Sequence, residues 1–227
     1  MTFDEIFTAY YTQYRGESQI PASTDDEYTV ALRLANEGIN HWSSYDGTYW
    51  KELWTTHQTD GTGDQTITAG TKDYTCSTAM KEAGGYVSVL DADGAIKARY
   101  PIVEPQEVQF MNPEATYCYF TGTPGSMTLH LNKTPDATLD GLDIEFDFYK
   151  KATEFTTGTD TTEMSNPYFL VHHILGNRFR ASRNWSAYQT AKRDSENALK
   201  VMQMDNNSGT WANPWKLPDN SGSSWGM

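Results

Sequence analysis

Three groups of residues in this chain have types and spacings that chemistry could use. The first lies in VHHILGNRFRASRNW, Val171 to Trp185, which holds two adjacent histidines and the arginines Arg178, Arg180 and Arg183. Imidazoles and guanidiniums together suit a metal, a phosphate or an acidic partner. A helix turns by about 100° per residue, so His172 and His173 diverge instead of sharing a metal. Helical metal pairs sit three or four residues apart. His41, His57 and His130 have no partner at ligand spacing either. The second group is Asp143, Glu145 and Asp147 in LDIEFDFYK. On one strand, alternate carboxylates stand roughly 6–7 Å apart, a separation a glycosidase can use. They are equally the outward positions of a half-exposed strand, and that reading is preferred. The third is DNNSGTWANPWKLPDNSGSSWGM, where Trp211, Trp215 and Trp225 sit in a segment with no periodicity. Such a segment builds no core of its own, so its tryptophans either lie back over the chain's own domain or serve as anchors on a partner surface.

Other reactive signatures are missing from the sequence. There is no GxSxG, P-loop, GxGxxG or HExxH motif. The two cysteines, Cys76 and Cys118, form no CxxC and read as reduced thiols in a protein made in a cytoplasm. DADG, Asp91 to Gly94, offers part of a calcium loop but lacks the later bidentate glutamate, so a turn is expected. The expectation is a chain with no catalytic residue, no cofactor and no bound metal, hence not an enzyme. The opening MTFDEIFTAYY lacks the basic and apolar regions of a signal peptide, and no apolar run suits a membrane span.

Charge narrows the partners. The 227 residues carry a formal net charge of −13, unevenly spread. Residues 1–54 hold three basic and nine acidic groups, residues 55–155 seven and fifteen. Residues 156–204 reverse the balance with six basic and four acidic groups. An acidic body argues against gripping the outside of DNA, which needs a basic stripe. It does not argue against surrounding DNA, because an acidic wall repels phosphates and lets a duplex slide. In so acidic a protein, Arg178, Arg180 and Arg183 suit salt bridges to a neighbouring subunit or plain solvation, ahead of a contact to DNA or RNA.

The elements that must position these residues follow from periodicity. Thr2 and Glu5 have capping-box spacing, and Phe3, Ile6, Phe7, Tyr10 and Tyr14 then share a helix face. Thr24 and Glu27 repeat that signal before a stripe of Tyr28, Ala31, Leu32, Ala35, Ile39 and Trp42. From about residue 60 the period becomes two. YVSVLDADGAIKARY reads as a hairpin, TYCYFTGTPGSMTLHL as a second, and LDIEFDFYK as the strongest strand. Helices return after Asn166 and Pro167, with Tyr168, Val171, Leu175 and Phe179 on one stripe. Asn184 or Ser186 could cap a last helix striped by Tyr188, Ala191, Ala198, Leu199 and Met202. The predicted class is α+β: N- and C-terminal helices packed as a bundle around an inserted antiparallel β domain, a small sandwich or barrel. The expected boundaries are 1–57, 58–155, 156–204 and an extended tail, 205–227.

This layout resembles the head–tail connector proteins of tailed bacteriophages. The resemblance spans residues 1–204 and rests on EYTVALRLANEGINHW, the β segment GSMTLHLNKTPDATLDGLDIEFDFYKKATEF, and the closing pair NPYFLVHHILGNRFRASRNW and SAYQTAKRDSENALKVM. These include adaptor (head-completion) proteins and the tail tubular protein A of short-tailed phages. The resemblance implies a homo-oligomeric ring, commonly of about twelve subunits, seated under the portal in the virion neck. It implies a channel for passing double-stranded DNA, read without sequence preference, and a lower face that receives a tail or nozzle protein. Arg178, Arg180, Arg183, Trp185, Trp211, Trp215 and Trp225 are then the expected contacts to the portal or a neighbouring subunit. Asp143, Glu145 and Asp147 are the expected channel-lining groups, and no membrane partner is expected. Two other classes fit the same residues: a carbohydrate- or receptor-binding β module, and a hydrolase using Asp143, Glu145 or Asp147.

Overall fold

A computed structural model describes residues 1–17, 20–57 and 65–208. The chain is α+β and divides into two compact units. One is helical and combines Met1–Leu53 with the segment from Ala152 onward; the other, Trp54–Lys151, is built of strands. The tryptophans Trp211, Trp215 and Trp225 lie outside the described residues.

Four helices form the helical unit among the described residues. The first, α1 (Phe3–Arg15), starts as its sequence dictates. Thr2 Oγ1 accepts from the Glu5 amide at 3.3 Å, and Glu5 Oε2 accepts from the Thr2 amide at 2.8 Å. Two orphan amides of the first turn are thereby satisfied. Gly16 ends the helix with φ 71°, a left-handed conformation that suits glycine. The second helix, α2 (Asp26–Ser43), departs from expectation at its start. Its cap is Asp25, with no side-chain capping bond; the Thr24–Glu27 box does not form. Glu27 is instead engaged by Tyr10 and Arg178. The buried face includes Leu34 and Gly38, while Leu32 is only half-buried.

The third and fourth helices are α3 (Tyr168–Ala181) and α4 (Trp185–Ser208). The α3 core face is Phe169, Leu170, Val171, Ile174 and Leu175; it keeps Val171 and Leu175 of the predicted stripe, with Phe179 half-buried and Tyr168 exposed. The wider face arises because α3 packs against α1, α2 and α4 together. At Gly38 a Cβ would stand 2.7 Å from Leu170 Cδ2, so glycine permits the close approach of α2 and α3. Asn184 caps α4, its Oδ1 accepting from the Ala187 amide at 3.3 Å, and Arg183 turns the chain just before it with φ 59°. Ala191, Ala198, Leu199 and Met202 face the core. The helix runs through Ser208, so the first residues of the expected extended tail are helical. No helix among the described residues is long and apolar enough to cross a membrane.

Among the described residues the strand unit holds nine strands in three antiparallel three-stranded sheets. In the first, β1 (Trp54–Thr56) and β3 (Met80–Ala83) flank β9 (Asp147–Lys150). In the second, β2 (Asp73–Thr75) and β6 (Cys118–Thr123) flank β7 (Ser126–Leu131). In the third, β5 (Ile96–Pro101) and β8 (Asp143–Glu145) flank β4 (Tyr86–Leu90). Both expected hairpins form. Asp91 Oδ1 accepts from the amides of Asp93 and Ala95, which closes the DADG turn as a turn. The three sheets share one core that includes Val87, Val89, Leu129, Ile144, Phe146 and Phe148.

The strongest predicted strand, LDIEFDFYK, is broken. It leaves the third sheet after Glu145 and joins the first at Asp147. Ile144, Phe146 and Phe148 stay buried across the break, so alternation persists while the pairing partners change. Asp143, Glu145 and Asp147 therefore do not form one carboxylate row on a single sheet. Cys76 and Cys118 are free and buried, and burial pushes both thiols up to about 12.

Candidate functional site

Within the helical unit, α3 and α4 with the end of α2 enclose a cleft of about 410 Å³. That is a volume that takes a small ligand or a projecting side chain. The lining follows from helical spacing. His172, Gly176 and Arg180 lie four residues apart on α3, and Tyr188, Lys192, Glu196 and Lys200 do the same on α4. His41 and Tyr45 close the end nearest α2. Gly176 keeps the floor low, because even an added Cβ there would only reach van der Waals distance of Ala191.

The cleft is basic in an acidic protein. Arg180, Lys192 and Lys200 line it against a single carboxylate, Glu196, which lies 3.7 Å from Lys192. Arg180 and Lys200 have no carboxylate partner among the described residues. His173 packs between His41 and Phe169, with ring centroids at 6.1 and 5.7 Å. Burial, helped by His41, lowers its pKa to about 4, so the ring is neutral at pH 7. Its Nε2 is buried with no hydrogen-bond partner. Cations and aromatic rings lining one cleft offer recognition of an anion or of an acidic, aromatic chain.

The sequence-predicted arginines separate by role. Arg178 turns inward: its Nη2 donates to Glu27, which also accepts from the Tyr10 hydroxyl, and its guanidinium stands 5.6 Å over the Tyr14 ring. Burial and the Glu27 carboxylate raise the Tyr10 pKa well above its ordinary range. This network joins α1, α2 and α3, and it occupies Arg178 within its own subunit. Arg180 lines the cleft and Arg183 is exposed in the α3–α4 turn. Trp185 is 58% exposed, with its ring edge-on to Tyr188 at 6.0 Å.

In the strand unit, Asp147 Oδ1 accepts from Thr56 Oγ1 at 2.7 Å, and Asp143 and Glu145 are half-buried in β8. A different constellation, invisible to residue spacing, spans β2, β7 and β6. His130 Nδ1 meets Asp73 Oδ1 at 2.7 Å, and its Nε2 meets Thr121 Oγ1 at 2.7 Å. Hydroxyl, imidazole and carboxylate in a row have the order of a nucleophile relay. Here they are cross-strand neighbours on a sheet face, the imidazole stacked on Tyr119 and Asp73 67% exposed. Water screens that carboxylate, so the row serves as a polar sheet ladder.

One further feature of the strand unit escaped the sequence reading. The loop Glu104–Glu114 carries three glutamates and no basic residue. At its crest Phe110 is 82% exposed, the barest large apolar side chain among the described residues. The loop is built, not slack. The Glu107 amide donates to Glu104 O at 2.9 Å, the Phe110 amide to Glu107 O at 2.9 Å, and the Glu114 amide to Asn112 Oδ1 at 3.0 Å. The signal for it was present in the sequence as an unpartnered phenylalanine between prolines in an acidic run, without strand alternation.

No known family model and no curated protein matches this chain.

Proposed function

We propose that this chain is a structural virion protein, a head-to-tail adaptor. In this reading it assembles as a ring beneath the portal, connects the capsid to the tail and forms part of the channel for double-stranded DNA. The observation that carries the reading is the interleaved architecture. One helical unit is made from the two flanks of the described chain, and a strand unit is inserted at Trp54–Lys151. That is the layout on which the resemblance to tailed-phage connectors rests. Charge supports it: a body of −13 repels phosphate and suits passage of a duplex better than its capture.

The test is imaging. Negative-stain micrographs of the protein mixed with the portal protein encoded by a neighbouring reading frame should show closed rings seated on the portal. A protein that stays monomeric and ignores that portal overturns the reading. Electrophoretic titration with duplex DNA at about 0.15 M salt should show no binding, because net negative surfaces gain no counterion release.

A further inference from the structure

The helical hairpin of α3 and α4 is the basic island of this molecule. Residues 168–204 contain six basic and two acidic groups, although the whole chain has 17 basic and 30 acidic. Its cleft presents Arg180 and Lys200 unpaired beside Tyr188, His172 and His41. The strand unit carries the complementary object: a pre-shaped acidic loop with one bare aromatic ring at its crest.

We propose that the Glu104–Glu114 loop of one subunit docks in the α3–α4 cleft of a second copy. Phe110 enters among Tyr188 and the imidazoles, and Glu104 and Glu107 face Arg180 and Lys200. The inference rests on the ring assembly proposed above and names the contact that joins neighbours. Three observations commit it to this occupant. The charges are opposite and both sets are exposed. The cleft of about 410 Å³ accommodates one aromatic side chain with carboxylates at its rim. The loop's internal hydrogen bonds fix its shape beforehand, which reduces the entropy lost on binding. The two surfaces differ, so the contact is head-to-tail, and repetition generates a ring or a filament.

The experiment is a charge exchange read by sedimentation velocity over a concentration series, using the full chain. Phe110→Ser should weaken self-association at least about tenfold, as expected for a central aromatic anchor. The pair Arg180→Glu with Lys200→Glu, and the pair Glu104→Lys with Glu107→Lys, should each do the same. All of these side chains are exposed, so circular dichroism should report an unchanged fold. A variant carrying both pairs should regain most of the native association. In parallel, Gln109→Cys and Gln189→Cys proteins treated with a short bis-maleimide should give a covalent dimer when mixed and none separately; Cys76 and Cys118 are buried. Native association by Phe110→Ser, no recovery in the four-site variant, or no cross-link in the mixture overturns the proposal. Rings that form on portal regardless of Phe110 sink this contact and leave the adaptor reading standing. Charge-rescued association that builds open filaments and ignores portal does the opposite.

Discussion

The helical unit and the strand unit solve the same burial problem with different materials. The helical unit is knit by rings and a shared ion: Phe3, Phe7, Tyr28 and Phe155 touch one another, and Arg178, Glu27 and Tyr10 tie three helices. The strand unit has one core in which Val87, Val89, Leu129, Ile144 and Phe148 join Tyr74 and Tyr100, and cross-strand polar pairs such as Asp73 with His130 lie on its sheet face. The contrast teaches where each unit is vulnerable. In the first, the Arg178–Glu27–Tyr10 network must stay paired and His173 neutral; in the second, the shared apolar core of three sheets makes lost volume the main hazard.

The largest effect should come from coring each unit separately. Phe169→Ala and Phe148→Ala each empty a fully buried site and should cost about 3–5 kcal/mol. If the two units melt independently, calorimetry will show two transitions, one shifted by each variant. A single transition shifted equally by both would erase the contrast.

Next in size is the response to acid. His173 has a folded pKa of about 4 against an ordinary 6.5. Between those values the unfolded chain binds more protons than the folded one. Stability of the helical unit should therefore fall as pH drops from about 6.5 toward 4, by up to roughly 3 kcal/mol. His173→Phe should flatten that window in denaturant titrations. In the strand unit Asp91 and Asp136 are held below their ordinary pKa, the first chiefly by Lys97 and the second by Thr138. Their contribution is present above the ordinary carboxylate pKa and is lost only as pH falls through the lower folded values.

Arg178→Met should cost about 2 kcal/mol, because Glu27 and the Tyr10 hydroxyl lose a shared partner in a half-buried place. Glu27→Gln combined with Arg178→Met should cost less than the sum of the two single changes; strict additivity would mean the three groups are not a network. The smallest change is Thr2→Ala, which removes one capping acceptor of α1 and should cost about 1 kcal/mol in urea unfolding.

Local signals were legible in the sequence where they act locally. The Thr2–Glu5 box, the DADG turn and the PG corner between β6 and β7 appear where spacing placed them. The second box failed because Glu27 answers to Tyr10 and Arg178, and Arg178 lies 151 positions away. The strand LDIEFDFYK kept its alternation and hid its break, since side-chain period carries no record of which neighbour a strand chooses. The cleft was half legible. Its residues fall at i, i+4 on two helices, yet only the crossing of α3 and α4 makes them face each other. Asp73, His130 and Thr121 share no local pattern, because their meeting is a matter of sheet pairing.

The insertion also sets an order of events on the ribosome. Every strand of Trp54–Lys151 can find its mates as soon as that stretch has emerged, whereas α1 and α2 wait for α3 and α4. During that delay the nascent α1–α2 segment shows water the faces at Tyr14, Gly38 and His41 that Phe179, Leu170 and Phe169 later cover. A vectorially growing chain thus completes its middle before its flanks, and a chaperone that shields apolar helices has its clearest opening in that interval.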